Sequence, residues 1–432
     1  MSNSISSIVE SGLCTGCGTC IALCPKDALE LTIDKKRGTY VPQIDPKACT
    51  ACGRCIKVCP GGAIDHDDLN KEIFGKTPGT IIGNFCECYV GYSTEFKIRY
   101  SASSGGLVSQ ILIFALEDGL IDGAVVTRMR KDSPTEPEVF IARRTEELLE
   151  AAGSKYCPVP LNVLLNEIIR LNPTEKLAYV GLPCHIHGLR KAQQTNAALK
   201  ESIVFCIALM CSHTDNFNSL DFICRSLHTS KEEVTRIEFR GRGWPGSFLI
   251  CKNDGTTNTI SFAEYILSHK MHVFSPTRCL LCCDPIGELA DIVCGDAWLI
   301  GKNDDLGSSL CIARSVGAQD LLMKARDNNR VVLDPVGESG VIKSQKVLVA
   351  DKVKLSRLSL FMRKMLGKKC PQYANVNLYA DKRKPHFADL IKLCVIFFNC
   401  KLLSKRFLWR YTPSILKLEE RLMKLTIFKK KP

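Results

Sequence analysis

The sequence predicts an α+β fold built in consecutive parts, and three observations carry that prediction. Two sets of four cysteines near the start share one spacing, so a small unit is built twice. Strand-like runs then alternate with helical stretches through the middle. Beyond about residue 341, apolar residues mix with Lys and Arg at roughly helical spacing and the charge balance changes sign. On this reading residues 1–75 form a cysteine-built unit, 76–165 and 166–335 are two parts of an α/β body, and 336–432 is a basic helical extension.

Composition narrows the class. A hydrophobic content of 45% and a charged content of 24% are ordinary for a globular chain. The 24 cysteines are not. The opening "MSNSISSIVESG" lacks the basic start and apolar core of a secretory signal, so the reading is cytoplasmic. There, clustered cysteines bind metal more readily than they form disulfides. The net charge of +13 is uneven: residues 341–432 hold 23 Lys+Arg and 5 Asp+Glu, a balance of +18, which leaves −5 for the rest.

The first unit is a repeat. "CTGCGTCIALCP" at 14–25 recurs as "CTACGRCIKVCP" at 49–60, every cysteine displaced by 35 residues. Three thiolates on one tight loop grip three corners of a cubane, and the fourth, one helical turn on, reaches the other cluster. Cys14, Cys17, Cys20 and Cys59 are therefore assigned to one 4Fe-4S cluster, and Cys49, Cys52, Cys55 and Cys24 to a second. Gly18 and Gly53 let the loops close on sulfur, and Pro25 and Pro60 turn the chain away. Structural zinc usually takes cysteines as two pairs, so a third cysteine at the same spacing, twice, argues against it. The segment resembles bacterial-type two-cluster ferredoxins, which implies electron transfer.

In the body, "SSGGLVSQILIFALEDGL" (103–120) reads as a helix opened by small residues, and "IDGAVVT" as a buried strand. "TEELLEAAG", "PLNVLLNEIIRL" and "PCHIHGLRKAQ" read as helices; "KLAYVG" and "SIVFCIAL" as strands. "RIEFRG", "SFLICKNDG" and "DIVCGDAW" are β-like. The small residues Ser103, Ser104, Gly105 and Gly106 at a helix start are able to present N–H groups to a phosphate, although helices often begin with Ser and Gly for capping alone.

Five segments, "SSGGLVSQILIFALEDGLIDGAVV", "AAGSKYCPVP", "GLPCHIHGLRK", "RGRGWPG" and "CLLCCDPIGELADIVCGDAW", occur in this order over residues 85–335. Together they resemble the coenzyme F420 hydrogenase/dehydrogenase beta-subunit family, which is itself similar to 7-hydroxymethyl chlorophyll a reductase. The resemblance implies an FAD-binding body with its own 4Fe-4S cluster. Cys184, Cys211, Cys279 and Cys282 match the family's cysteine positions and are expected to hold that third cluster; zinc, or a thiol–disulfide pair at Cys279 and Cys282, are the competing readings. Cys283 stands where the family more often has proline, which leaves it as a competing ligand. The flavin contacts carried over are Ser103, Ser104, Gly105, Gly106, Gly153, Ser154, Lys155 and Tyr156. Lys155 is the expected catalytic residue, stabilising reduced flavin, against a solvated lysine at a helix end. Asp296 is a site residue or a turn former.

His185 and His187 titrate in the useful range, but hydride exchange with flavin needs no protein base, so they are expected to be structural. Cys86 and Cys88 read as core or surface thiols. The expected function is an iron–sulfur flavoprotein oxidoreductase exchanging hydride with coenzyme F420. A ferredoxin-dependent reductase of another small molecule, or a relay subunit without its own substrate, are the alternatives. Expected partners are a redox protein (a ferredoxin or a larger electron-transfer complex) and a small hydride donor or acceptor. The basic extension is read as packed on the body, drawn to an anionic membrane surface at the inner face, or docked on an acidic protein. No recognition motif points to nucleic acid.

Overall fold

The computed structural model describes residues 4–171, 175–302, 304–374 and 387–428. Its centre is an eight-stranded mixed sheet. In spatial order the strands are Val331–Pro335, Glu87–Ser93, Ser309–Ala313, Ile292–Asp296, Ile203–Leu209, Leu177–Gly181, Gly123–Met129 and Pro137–Ala142. The four strands from Ile292–Asp296 to Gly123–Met129 run parallel, and antiparallel strands flank them on both sides.

Period-two alternation explains why these runs become strands. Ala124, Val126, Ala178, Ile207 and Ile292 enter one core, whereas Val125, Tyr179, Cys206, Ala208 and Val293 enter the other. Helices Leu107–Glu117 and Val316–Asp327 cover the first face. Pro183–Gln193 and Leu165–Arg170 cover the second. Each fully buried aliphatic side chain contributes about 1.5–3 kcal/mol. The helix Leu107–Glu117 buries nearly its whole surface, as its "LVSQILIFALE" sequence demands.

Between the strands Ile203–Leu209 and Ile292–Asp296 the chain makes a three-stranded antiparallel sheet, Thr257–Ser261, Ser247–Lys252 and Val234–Glu238. It packs on helix Phe262–Lys270 around an aromatic core of Phe239, Phe248, Tyr265 and Phe274. Residues 4–65 hold a first helix, Ile5–Glu10, a hairpin, Leu29–Asp34 with Thr39–Ile44, and two one-turn helices that each follow a cysteine loop.

The basic extension is mostly helical where described and packs on the body: Leu355, Leu358, Leu393 and Ile396 bury against Leu280. It also supplies a strand the sequence did not announce. Gln372–Ala374 pairs in parallel with Ala63–Asp65, and three residues are too few to show alternation. Residues 375–386 and 429–432 of that extension lie outside the described residues. Among the described residues no helix is long and apolar enough to cross a membrane.

Candidate functional site

The N-terminal loops end in helices Thr19–Ala22 and Arg54–Lys57, entered through Gly18 (φ 89°) and Gly53 (φ 75°) in the left-handed region. Cys14, Cys17, Cys20 and Cys59 line one small cavity with Ile5, Leu31 and Pro42. Cys14 Sγ accepts from Gly16 N–H at 3.4 Å, and Cys24 Sγ accepts from Ala28 N–H at 3.3 Å. Burial pushes the Cys14 thiol up to about 12 and the Cys20 thiol well above its usual value, with Cys17 and Cys59 close enough to raise Cys20 further. Cys49 and Cys52 are exposed. Backbone N–H groups and the Thr50 hydroxyl lower the Cys52 thiol. The two sets thus differ: one is enclosed on the side of the body, the other faces solvent.

A third set gathers at the carboxyl ends of two parallel strands, where open α/β sheets place their sites. Cys184 is the second residue of helix Pro183–Gln193, directly after strand Leu177–Gly181. Cys211 follows strand Ile203–Leu209, its N–H donating to Pro285 O at 2.9 Å. Cys279 lies in the short helix Thr277–Leu280, and Cys282 N–H donates back to Cys279 O at 3.2 Å. Burial raises Cys184, Cys211, Cys279 and Cys282; charges within the set raise the first three further, and Cys283 raises Cys282. Among the described residues no three cysteine sulfurs lie within 4.8 Å of one another. Raised thiols ionise on metal binding, so a cationic cluster would offset the charge these pockets oppose.

Cys283, whose charge raises Cys282, has a second neighbour outside this set. Its sulfur lies 3.8 Å from His66 Nε2 in a buried pocket that also holds Glu288. His187 Nε2 donates to Asp284 Oδ2 at 2.8 Å. His185 accepts Leu182 N–H at Nδ1 and donates from Nε2 to Val159 O, at 3.1 and 2.9 Å, and burial pulls it down to about 4. Both imidazoles are buried in structural bonds. Cys88 is buried in a strand and Cys86 is exposed.

Sequence reading missed what joins the parts. Asn162 N–H donates to Cys17 O at 2.8 Å, and its side-chain amide donates to Thr19 Oγ1 at 2.8 Å and His185 O at 2.9 Å. Its Oδ1 accepts from Tyr179 Oη at 2.5 Å. Gly188 makes the approach close: a Cβ there would stand 2.2 Å from Thr19 Oγ1. The loop holding Cys17 is therefore seated on the helix holding Cys184, and the Cys17 charge reaches the Cys184 thiol.

The two expected flavin segments also meet. Ser154 N–H donates to Ser103 Oγ at 2.8 Å, and Ser104 Oγ bonds Ser309 Oγ at 2.8 Å. A Cβ on Gly105 would meet Gly91 O at 2.5 Å and Ser309 N at 2.6 Å, so this turn requires glycine. Gly106 (φ 78°) opens the helix, and Gly153 (φ 83°) is also left-handed. Lys155 Nζ donates to the carbonyls of Ala151, Ala152 and Gly153 at 2.5, 3.1 and 3.0 Å, at the end of helix Thr145–Glu150. Burial lowers it to about 7. Tyr156 packs edge-on to Phe239 and His269. Asp296 takes a bidentate pair from Arg240 at 2.8 and 2.6 Å, and Trp244 Nε1 donates to it at 2.9 Å. Beyond Trp244 opens a cavity of about 210 Å³ lined by Ala297, Lys302, Gly307 and Ser308. Arg240 and Trp244 lie in "RGRGWPG", where the signal was present without an assigned role.

Comparison with known proteins places the chain in a family. The family described as coenzyme F420 hydrogenase/dehydrogenase, beta subunit, matches through its C-terminal part at residues 174–339 and its N-terminal part at 88–166. The chain belongs to this family of oxidoreductase subunits. A 4Fe-4S dicluster domain matches residues 13–63. The coenzyme F420 hydrogenase subunit beta of Methanothermobacter thermautotrophicus is 29% identical over 60% of this chain and 87% of its own length. The coenzyme F420-dependent sulfite reductase of Methanocaldococcus jannaschii is 27% identical over 73% of this chain and 46% of its own. A chain of the F420-reducing nickel–iron hydrogenase complex from Methanosarcina barkeri shares the fold. Its TM-score is 0.54 at 24% identity, over 68% of this chain and 98% of that one.

Proposed function

We propose that this iron–sulfur oxidoreductase moves electrons between two N-terminal 4Fe-4S clusters and a third held by Cys184, Cys211, Cys279 and Cys282, and from there to or from FAD. Coenzyme F420 is the proposed hydride partner, and a larger electron-transfer complex the proposed redox partner. One observation carries the reading: Asn162 and Gly188 seat the Cys17–Thr19 loop against the helix that begins at Cys184. The solvent-facing set of Cys49 and Cys52 suits exchange with a partner protein, and the enclosed set suits onward passage.

Bound FAD would convert two single electrons and a proton into a hydride. The residues proposed to receive it are the Ser103–Gly106 turn, Gly153–Tyr156 and Asp296. Their own bonds support the proposal: Ser154 N–H to Ser103 Oγ joins the two turns, Ser104 ties the first to Ser309, and Arg240 fixes Asp296 beside the cavity at Trp244. Lys155 is read here as positioning the Gly153–Tyr156 turn through the helix-end carbonyls.

The test is iron, sulfide and flavin per chain on protein purified without oxygen, followed by bleaching of F420 with a dye as electron carrier. About twelve irons, one FAD and bleaching are expected. About eight irons without flavin would overturn the reading; full cofactors without bleaching would shift the substrate to another small organic molecule.

A further inference from the structure

We propose a separate mononuclear metal site, made by His213, Asp215 and His269, that takes a divalent transition ion. The three offer ligand atoms within 4.8 Å of one another. His213 and Asp215 side chains are only 2% and 3% exposed, and His269 is 11% exposed. None of them belongs to the cysteine sets.

Two orphaned atoms point to a ligand. His213 Nε2 and Asp215 Oδ1 are buried without a hydrogen-bond partner among the described residues, and they stand 3.8 Å apart. That is too long for a hydrogen bond. An ion bound at about 2.1 Å from each atom fits between them. Asp215 stands 3.8 Å from His213 Nε2 through Oδ1 and 3.1 Å from His269 Nδ1 through Oδ2; the His269 ring stacks on His213 with centroids 3.7 Å apart, so His269 turns out of that stack to bring a nitrogen to the ion. The other nitrogen of His213 is already occupied, at 2.8 Å from Ser212 Oγ. Metal-bound histidines commonly have the second nitrogen anchored in this way, which fixes the tautomer and leaves Nε2 free to ligate. His272 stacks on His213 at 4.1 Å and bonds Ser275 instead.

Two imidazoles and a carboxylate suit zinc or ferrous iron over magnesium or calcium. The ion would clip the loop after Cys211 to helix Phe262–Lys270, whose His269 lies against Tyr156. Its place is thus between the third cysteine set and the Gly153–Tyr156 turn.

The experiment uses the full chain with its clusters assembled, zinc chloride as probe, equilibrium dialysis and elemental analysis of zinc and iron together. The wild type is expected to retain about one zinc per chain with its iron unchanged, and its thermal midpoint to rise with zinc. Asp215→Asn and His269→Gln should each weaken zinc binding at least tenfold while keeping full iron. Failure of the iron-replete wild type to take up zinc overturns the site, whatever the variants do. So does zinc uptake that tracks iron loss, since the ion would then sit on vacated cysteines, and so does equal uptake by Asp215→Asn.

Discussion

Cys282 and Cys283 are neighbours in sequence with different surroundings. The Cys282 charge raises Cys211 and Cys279 and is itself raised by Cys283, yet the Cys283 sulfur is held beside His66 in a pocket closed by Val353 and Tyr373. Cys283→Ala is therefore expected to keep the full iron complement, and Cys282→Ala to lose about four irons per chain. Iron analysis decides it, and equal loss in both would place Cys283 in the ligand set. Lys155 allows a pH test. Its native value near 7 lies below the usual 10.5, so between those values the unfolded chain binds the extra proton and stability rises with pH. Lys155→Met lacks this titration. From pH 7 to 9 the wild type should gain on the variant by on the order of 1–2 kcal/mol in urea unfolding, and parallel curves would refute it.

At the scale of elements, the decisive contact is between the loop Cys17–Thr19 and helix Pro183–Gln193. Asn162→Ala leaves the Thr19 hydroxyl, the His185 carbonyl and the Tyr179 hydroxyl without their partner in a buried place. A cost of about 3 kcal/mol is expected. Gly188→Ala drives a methyl into Thr19, for about 1–3 kcal/mol. Both should slow reduction of the third cysteine set from the N-terminal ones at unchanged iron content, read by rapid mixing with a reductant. Unchanged rates would remove the junction from the electron path. Nothing in the spacing of Asn162 or Gly188 announces this role, because the contact joins residues 143 positions apart. Strands built on continuous apolar runs, such as Ala124–Val126 within Gly123–Met129 and the whole of Ile203–Leu209, were legible. Glu87–Ser93, Ser309–Ala313 and Val331–Pro335 were not: the last two have only five residues each, and Glu87–Ser93 takes its place between them through antiparallel partners more than 200 residues away. The cysteine repeat was legible because cluster ligation is local. The cluster of His213, Asp215 and His269 was not, since helix Phe262–Lys270 brings its third member from beyond a whole sheet.

Across the whole molecule, the basic extension acts as a strap. Lys352 donates to the Cys279 carbonyl, and Ser356 Oγ donates to the Cys282 carbonyl at 2.6 Å. Leu355 and Leu358 bury Leu280 between those two cysteines, and Arg363 reaches the Ser11 carbonyl in the N-terminal unit. The strand Gln372–Ala374 then adds to Ala63–Asp65. One segment thus touches both the first unit and the loop carrying Cys279 and Cys282, so its lysines and arginines stand on a packed scaffold. Ending the chain after Gln345 removes every one of these contacts. The truncated protein is expected to keep the eight N-terminal cysteines' iron and to lose that of the third set, about four irons in twelve. Ser356→Ala, which removes one buried hydrogen bond at about 1 kcal/mol, should lower the temperature at which the third set's iron is released without changing its amount. Full iron and an unchanged release temperature in both variants would show that the loop holds its shape alone. The strap would then be free to serve the basic surface it presents.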